Sequence, residues 1–311
     1  MSERFLVTGA FGCIGAWTVR RLVREGAEVI GVDAGVDDRR VRDLLAADEL
    51  AGTRFVQADI SDPAQVENVF GFEPTHVIHL AALQVPDCRA NPVLGAQVNV
   101  VGTVALFAAA TAAGLRTPVV YASSVAAFAA LDGDGRAPAD PSGHPATHYG
   151  VFKTANEEGA RVFWREGGVS SIGLRPHVVY GPGRDRGLTS APTEAMRAAA
   201  ESRSYTIPFA GRCEMQYAPD VAAAFIAAAR ASHDGATVVN VPGTSVSIDT
   251  IVAEIERAAP QAEGLIEVAG EPLPFPVELD SSAFAAVVGT LPLTPLSVGV
   301  AETIEHFRRR A

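Results

Sequence analysis

The run Phe5–Val7 leads directly into Thr8-Gly9-Ala10-Phe11-Gly12-Cys13-Ile14-Gly15, and helical spacing follows over Ile14–Glu25. Three glycines between a strand and a helix leave the chain few folds. Gly9 permits a tight turn, Gly12 lets the backbone approach a pyrophosphate, and Gly15 lets the helix pack closely on the strand. The helix start then offers free N–H groups and the positive end of its dipole to phosphates. A glycine pattern alone marks an ordinary strand–helix turn just as well. Context makes it a dinucleotide signal: a strand before, a helix after, and Asp33 about 20 residues on, where the second strand ends. A carboxylate there can accept hydrogen bonds from both ribose hydroxyls of NAD and repels the extra phosphate of NADP. The expected cofactor is therefore NAD. Arg39 and Arg40 follow soon after; they keep NADP as the less favoured alternative, or form the solvated face of a helix.

The rest of the first half repeats this rhythm. Strand candidates are Phe5–Val7, Glu28–Val32, Arg54–Gln57, His76–Leu80, Pro118–Tyr121 and Ser171–Leu174, with helical stretches between them. Such alternation predicts an α/β fold, a Rossmann-like doubly wound parallel sheet. After Leu174 the rhythm loosens. Arg175–Gly183 reads as a Pro/Gly-rich turn, Thr237–Val241 as a strand that rejoins the sheet, Pro272–Pro276 as irregular, and Ser297–Arg310 as a closing helix. The division expected is an NAD-binding domain over 1–175 and, over 176–311, mainly a smaller C-terminal substrate-binding lobe.

Charge and cysteines narrow the partners. A net charge of −11 excludes the basic footprint of a nucleic-acid binder. Cys13, Cys88 and Cys213 lack the spacing of a metal site or redox pair, so no metal is expected and a reduced, cytoplasmic setting is. A strand-like run from Phe5 leaves no room for a signal peptide. The most apolar stretch, Val98–Leu115, is interrupted by Asn99, Gly102, Thr103 and Thr111 and reads as a buried helix rather than a membrane span.

Of the 25 basic residues 24 are arginine, and the one lysine, Lys153, stands four residues after Tyr149. On a helix the two share a face. A free tyrosine has a pKa near 10 and is a poor base at neutral pH; bringing it near 7 takes about 4 kcal/mol of differential stabilisation. A neighbouring ammonium together with a positive nicotinamide ring is a source for that. Tyr149 could then take a proton from an alcohol or return one to a carbonyl. A compact ammonium can also reach both ribose hydroxyls, where a planar guanidinium cannot. Ser123 and Ser124 follow the strand ending at Tyr121, at the carboxyl edge where ligands of open sheets bind. Ser124 is the catalytic candidate, and Ser123 a cofactor-side or structural residue.

These residues together resemble the extended short-chain dehydrogenase/reductases, the NAD-dependent epimerase/dehydratase family, over nearly the whole chain. The resemblance implies that Gly9, Gly12, Cys13, Ile14 and Gly15 form the nucleotide turn, and that Asp59 and Ile60 contact adenine. It implies that Ala81 and Ala82, in His79-Leu80-Ala81-Ala82, line the cofactor and that Asn99 supports the active-site helix. Tyr149-Gly150-Val151-Phe152-Lys153 is similar to the catalytic segment. Leu174-Arg175-Pro176-His177-Val178-Val179-Tyr180-Gly181-Pro182-Gly183 looks like the link between nicotinamide and substrate sites, with His177 at its centre. Members of the family often form homodimers through the tyrosine-bearing helix and the long helix before it, here with the Ala-rich run Ala105–Ala113.

Three departures bear on the substrate. Val178 stands where nucleotide-sugar members commonly carry an asparagine. Cys213 stands at the place of a phosphate-binding arginine, counting back from Asp220, with Arg212 one place off. Glu271–Asp280, where a second arginine is usual, contains none. Bidentate arginine is the natural ligand of phosphate oxygens, so the substrate expected is smaller than a nucleotide sugar. Arg184 and Arg186 could bind a carboxylate or be solvated loop charges; Gln84 and His177 could contact sugar-like hydroxyls. Three functions stay open. The first is a dehydrogenase or reductase exchanging hydride between NAD and a small hydroxylated, sugar-like or sugar-acid substrate. The second is a sugar epimerase, possibly of a nucleotide sugar, that keeps its NAD. The third is a non-catalytic NAD sensor. A dehydratase lacks its acid pair, because Val125 and Ala126 follow Ser124.

Overall fold

The computed structural model describes residues 3–128 and 145–310. Its centre is a sheet of seven strands: β1 (Arg4–Thr8), β2 (Glu28–Asp33), β3 (Arg54–Gln57), β4 (His76–His79), β5 (Val119–Ala122), β6 (Ser171–Arg175) and, after three strands outside it, β10 (Ala236–Asn240). The order is β10-β6-β5-β4-β1-β2-β3, and every neighbouring pair is parallel. Strands in such a sheet are covered on both faces, so they read as continuous apolar runs; Phe5, Leu6 and Val7 have no exposed surface. The order reverses between β1 and β4. A crevice opens there at the carboxyl ends of the strands, and it is the place where open α/β sheets bind ligands.

Helices 13–24 and 218–230 cover one face of the sheet, and helices 63–70, 102–112 and 148–167 the other. A separate core fills the C-terminal part. It gathers β7 (Val178–Tyr180), β8 (Tyr205–Ile207), β9 (Arg212–Tyr217), β11 (Thr244–Ser247) and β12 (Ile266–Val268) with helices 191–200, 248–258 and 296–308. One expectation is corrected: Arg175–Gly183 is not all turn, because β7 lies inside it and pairs with β9. The pairing partner is far along the chain, so no local pattern announces it.

The apolar stretch around Val98–Leu115 belongs to a helical rod, Pro92–Ala112, with a mean hydropathy of 1.8. By length and composition it could cross a membrane, but half of its most apolar window is buried against the rest of the fold, chiefly helices 63–70 and 148–167. A π turn, Gln97–Val101, interrupts it at Asn99.

Candidate active site

The nucleotide turn is as tight as its glycines suggest. Gly9 has φ +70°, and a Cβ there would lie 2.7 Å from the Ala81 nitrogen. A Cβ on Gly15 would drive into the Gly9 carbonyl oxygen. The turn is thus pressed between the end of β4 and helix 13–24. Gly12 is the helix N-cap and has no side chain to satisfy the first-turn amides of Cys13, Ile14 and Gly15. Asp33 reaches across this turn. One carboxylate oxygen accepts from the Phe11 amide and the other from the Gly35 amide, both at 3.0 Å. A free helix N-terminus beside a fixed carboxylate suits the pyrophosphate and ribose of a dinucleotide. Asp59 holds Ser61 through its side chain, and the buried Ile60 packs against Gly102. Ala81 donates its amide to the Thr8 hydroxyl, and Ala82 follows at the same crevice edge.

Tyr149 and Lys153 stand on helix 148–167, whose N-cap Thr147 accepts from the Gly150 amide. Gly150 lets this first turn press onto the Ala126 carbonyl, in the short turn that Ser124 caps. That contact brings Ser124 within hydrogen-bonding reach of the Tyr149 phenol. The Lys153 ammonium lies 5.3 Å from the Tyr149 ring centre and donates to the Ala122 carbonyl at 2.6 Å. Three expected catalytic groups are therefore gathered at the carboxyl edge of β5.

Their protonation differs from the sequence reading. Burial pushes the Tyr149 phenol up, opposed by the hydrogen bond with Ser124 and by the charge of Arg184. Burial also draws the Lys153 ammonium down to about 8, opposed by the charges of Cys88 and Glu157. Without the cofactor, desolvation of the phenolate outweighs the Ser124 hydrogen bond and the Arg184 charge. The positive nicotinamide ring is the remaining part of the expected source.

Ser123 and Asn99 are bonded into the framework of the site. Ser123 turns its hydroxyl to Glu157, whose carboxylate also takes two bonds from Arg175. Asn99 grips the Leu83 backbone on both sides, and its own carbonyl accepts from Asn156 on the active-site helix. The buried His177 donates from Nε2 to the Pro276 carbonyl, which leaves Nδ1 without a partner. Gln84 and Arg184 approach each other at Gly187: a Cβ there would meet the Gln84 oxygen at 2.6 Å and an Arg184 nitrogen at 3.8 Å. Arg186 is exposed.

Glu157 escaped the sequence reading, and Arg40 takes a place that neither of its two expected roles described. Glu157 continues the i, i+4 series of Tyr149 and Lys153, and that spacing is a signal which could have found it. Arg40 crosses the crevice: it donates to the Phe11 and Gly183 carbonyls at 2.9 Å each and pairs with Asp185. Trp17 adds a bond to the Pro182 carbonyl at 2.9 Å. Together they tie the loop after β7 to the nucleotide turn, and no local pattern foretells that.

The possible phosphate ligands are also placed. Cys213 is buried in the C-terminal core, while Arg212 is exposed and donates to Ser245.

Known proteins agree with this geometry. The model of the NAD-dependent epimerase/dehydratase family matches residues 5–241. The UDP-glucose 4-epimerase of Mycolicibacterium smegmatis is 31% identical, with 99% of both chains covered. The D-erythronate dehydrogenase of Cupriavidus necator is 28% identical, covering 83% of this chain and 82% of its own. The structure of Thermus thermophilus UDP-glucose 4-epimerase in complex with NAD superimposes with a TM-score of 0.81 at 28% identity, over 98% of this chain and 99% of that one. The chain belongs to the NAD-dependent epimerase/dehydratase family and is an NAD-dependent enzyme of the extended short-chain dehydrogenase/reductase type.

Proposed function

We propose that the enzyme exchanges hydride between NAD and a small hydroxylated, sugar-like substrate that carries no nucleotide. The observation behind this is the fate of the phosphate clamps. Where a clamp would stand there is a thiol in an apolar core, Arg212 is engaged with Ser245, and Glu271–Asp280 holds no arginine. Bound NAD supplies a hydride acceptor. In the oxidative direction Tyr149, as its phenolate, would take the hydroxyl proton while bound NAD would accept the hydride from the carbinol carbon, leaving a carbonyl. Ser124 holds the reacting oxygen beside the phenol. Lys153 anchors the ribose hydroxyls and adds its charge to the site. Gly9, Gly12, Cys13, Ile14, Gly15, Asp33, Asp59, Ile60, Ala81 and Ala82 line the dinucleotide. Residues 1–175 with β10 act as the NAD-binding unit, and 176–311 mainly as the substrate lobe.

The likeness to a UDP-glucose 4-epimerase over the full chain supports a second reading, an NAD-retaining epimerase. One assay separates the two. Purified enzyme is screened at 340 nm with NAD and small polyols, sugars and sugar acids, and in parallel with UDP-glucose. Substrate-dependent NADH supports the dehydrogenase; interconverted UDP-sugars without net NADH would sink it. Cofactor binding with no turnover of either kind would leave the sensor.

We also infer a homodimer. Val93, Val101 and Val104 form an exposed stripe on the Pro92–Ala112 rod, beside exposed Val151 and Val162 on helix 148–167. Exposed apolar residues on two helices that pack together suit an association surface. The three free cysteines suit a reduced, cytoplasmic setting.

A further inference from the structure

Arg184 is a half-buried guanidinium that has no carboxylate within ion-pair distance among the described residues. Its neighbour Asp185 is taken by Arg40 and Arg39. One Arg184 nitrogen donates to the Thr189 hydroxyl at 2.8 Å, while its Nε is buried and finds no acceptor. Leaving a charged donor unmatched out of water is unfavourable, and a bound anion is one partner that completes it. Gln84 lies alongside and offers an amide of its own. Gln84 follows Leu83, which Asn99 holds just beyond the carboxyl end of β4, so the guanidinium beside it lies at that edge of the sheet.

We propose that the substrate is a small hydroxy acid whose carboxylate seats on Arg184, flanked by Thr189 and Gln84. This rests on the dehydrogenase reading above and narrows it to one substrate class. A single guanidinium matches the single charge of a carboxylate. The seated carboxylate also orients the chain of hydroxyls, so that one carbinol comes to Tyr149. The same positive charge is felt at the Cys13 thiol, on the nucleotide turn. A pyrophosphate oxygen of the cofactor is thus the other anion within its reach, and the test distinguishes the two.

The test pairs acids with their neutral counterparts: D-erythronate with erythritol, and D-glucuronate with D-glucose, each with NAD. NADH dissociation constants are measured by fluorescence. NADH formation with an acid and not with its neutral partner is expected. Arg184→Gln should raise KM for that acid about 30-fold or more, the worth of a charge-assisted pair of bonds. Its NADH Kd should stay within about 3-fold. Arg184→Lys should recover part of the loss. Equal use of neutral substrates overturns the proposal, as does a variant whose defect falls on NADH Kd instead of KM, which would give Arg184 to the pyrophosphate. Turnover of neither series by enzyme that binds NADH overturns it too. Failure to bind NADH at all, or epimerisation of UDP-glucose, strikes the underlying function.

Discussion

Lys153 tests the physical reading of the site because its burial makes opposite demands on stability and on catalysis. Only 3% of the residue is exposed, and among the described residues its ammonium has one hydrogen-bond acceptor, the Ala122 carbonyl. Burial draws its pKa from 10.5 to about 8. A depressed base binds its proton less tightly in the folded protein than in the unfolded chain. Below pH 8 both states are protonated and the folded state carries the whole penalty. Between pH 8 and 10.5 only the unfolded chain keeps the proton, so stability rises with pH; above that window the penalty is gone. The gap corresponds to about 3 kcal/mol at 1.36 kcal/mol per pH unit. Lys153→Met keeps most of the length of the side chain and removes the charge. It also loses one hydrogen bond, worth about 1 kcal/mol. The variant should therefore be more stable than the parent by about 2 kcal/mol at pH 7, a few degrees in melting temperature for a chain of this size. The measurement is thermal or urea unfolding of cofactor-free protein at pH 7 and pH 10, with NADH titration and turnover alongside. The advantage should shrink at pH 10, NAD should bind more weakly, and turnover should be lost. A variant less stable than the parent at pH 7, or an advantage that grows with pH, refutes the argument.

Arg40→Ala should loosen the loop after β7, because the guanidinium (13% exposed) and Asp185 (20%) are largely shielded from solvent. At about 1.5–3 kcal/mol per charged bond, with the Trp17 bond remaining, stopped-flow NADH dissociation should quicken about 10- to 100-fold; a rate within about 3-fold of the parent would contradict this. Gly15→Ala places a methyl against the Gly9 backbone, where no flexible side chain can yield. It should lower the melting temperature, by about 1–3 kcal/mol of stability or more, and abolish NADH binding, and an alanine variant with normal NADH affinity would show that the turn is not the cradle. Light scattering should give a mass twice 32.4 kDa for the parent and the single mass for Val101→Asp or Val104→Arg; a monomeric parent would remove the proposed interface.

What the sequence disclosed and what it withheld divide along contact range. The inner sheet strands could be read because double burial imposes continuous apolar runs, and the observed bounds of all seven strands differ from the expected ones by a residue or so. Tyr149 and Lys153 could be read because a helix turns sequence spacing into adjacency. The charge state of the pair could not, because desolvation depends on everything packed around it. β7 was hidden for the same reason, since its register is set by β9.

Arg39 and Arg40 show the limit most clearly. In the sequence they are adjacent and equivalent, and both could serve the extra phosphate of NADP. In the structure Arg39 points to solvent, 58% exposed and paired with Asp37. Arg40 is drawn inward by Asp185, 145 residues away, and by two backbone carbonyls. Seating an extra phosphate on Arg40 would mean opening three bonds that hold the cleft together. Arg39 alone would have to bind it in water, where a single exposed pair contributes at most about 1 kcal/mol. Asp33, fixed by two amides at the end of β2, would repel it. The preference for NAD thus has two sources in this chain: a carboxylate that could be read from its spacing, and an arginine made unavailable by a partner that could not.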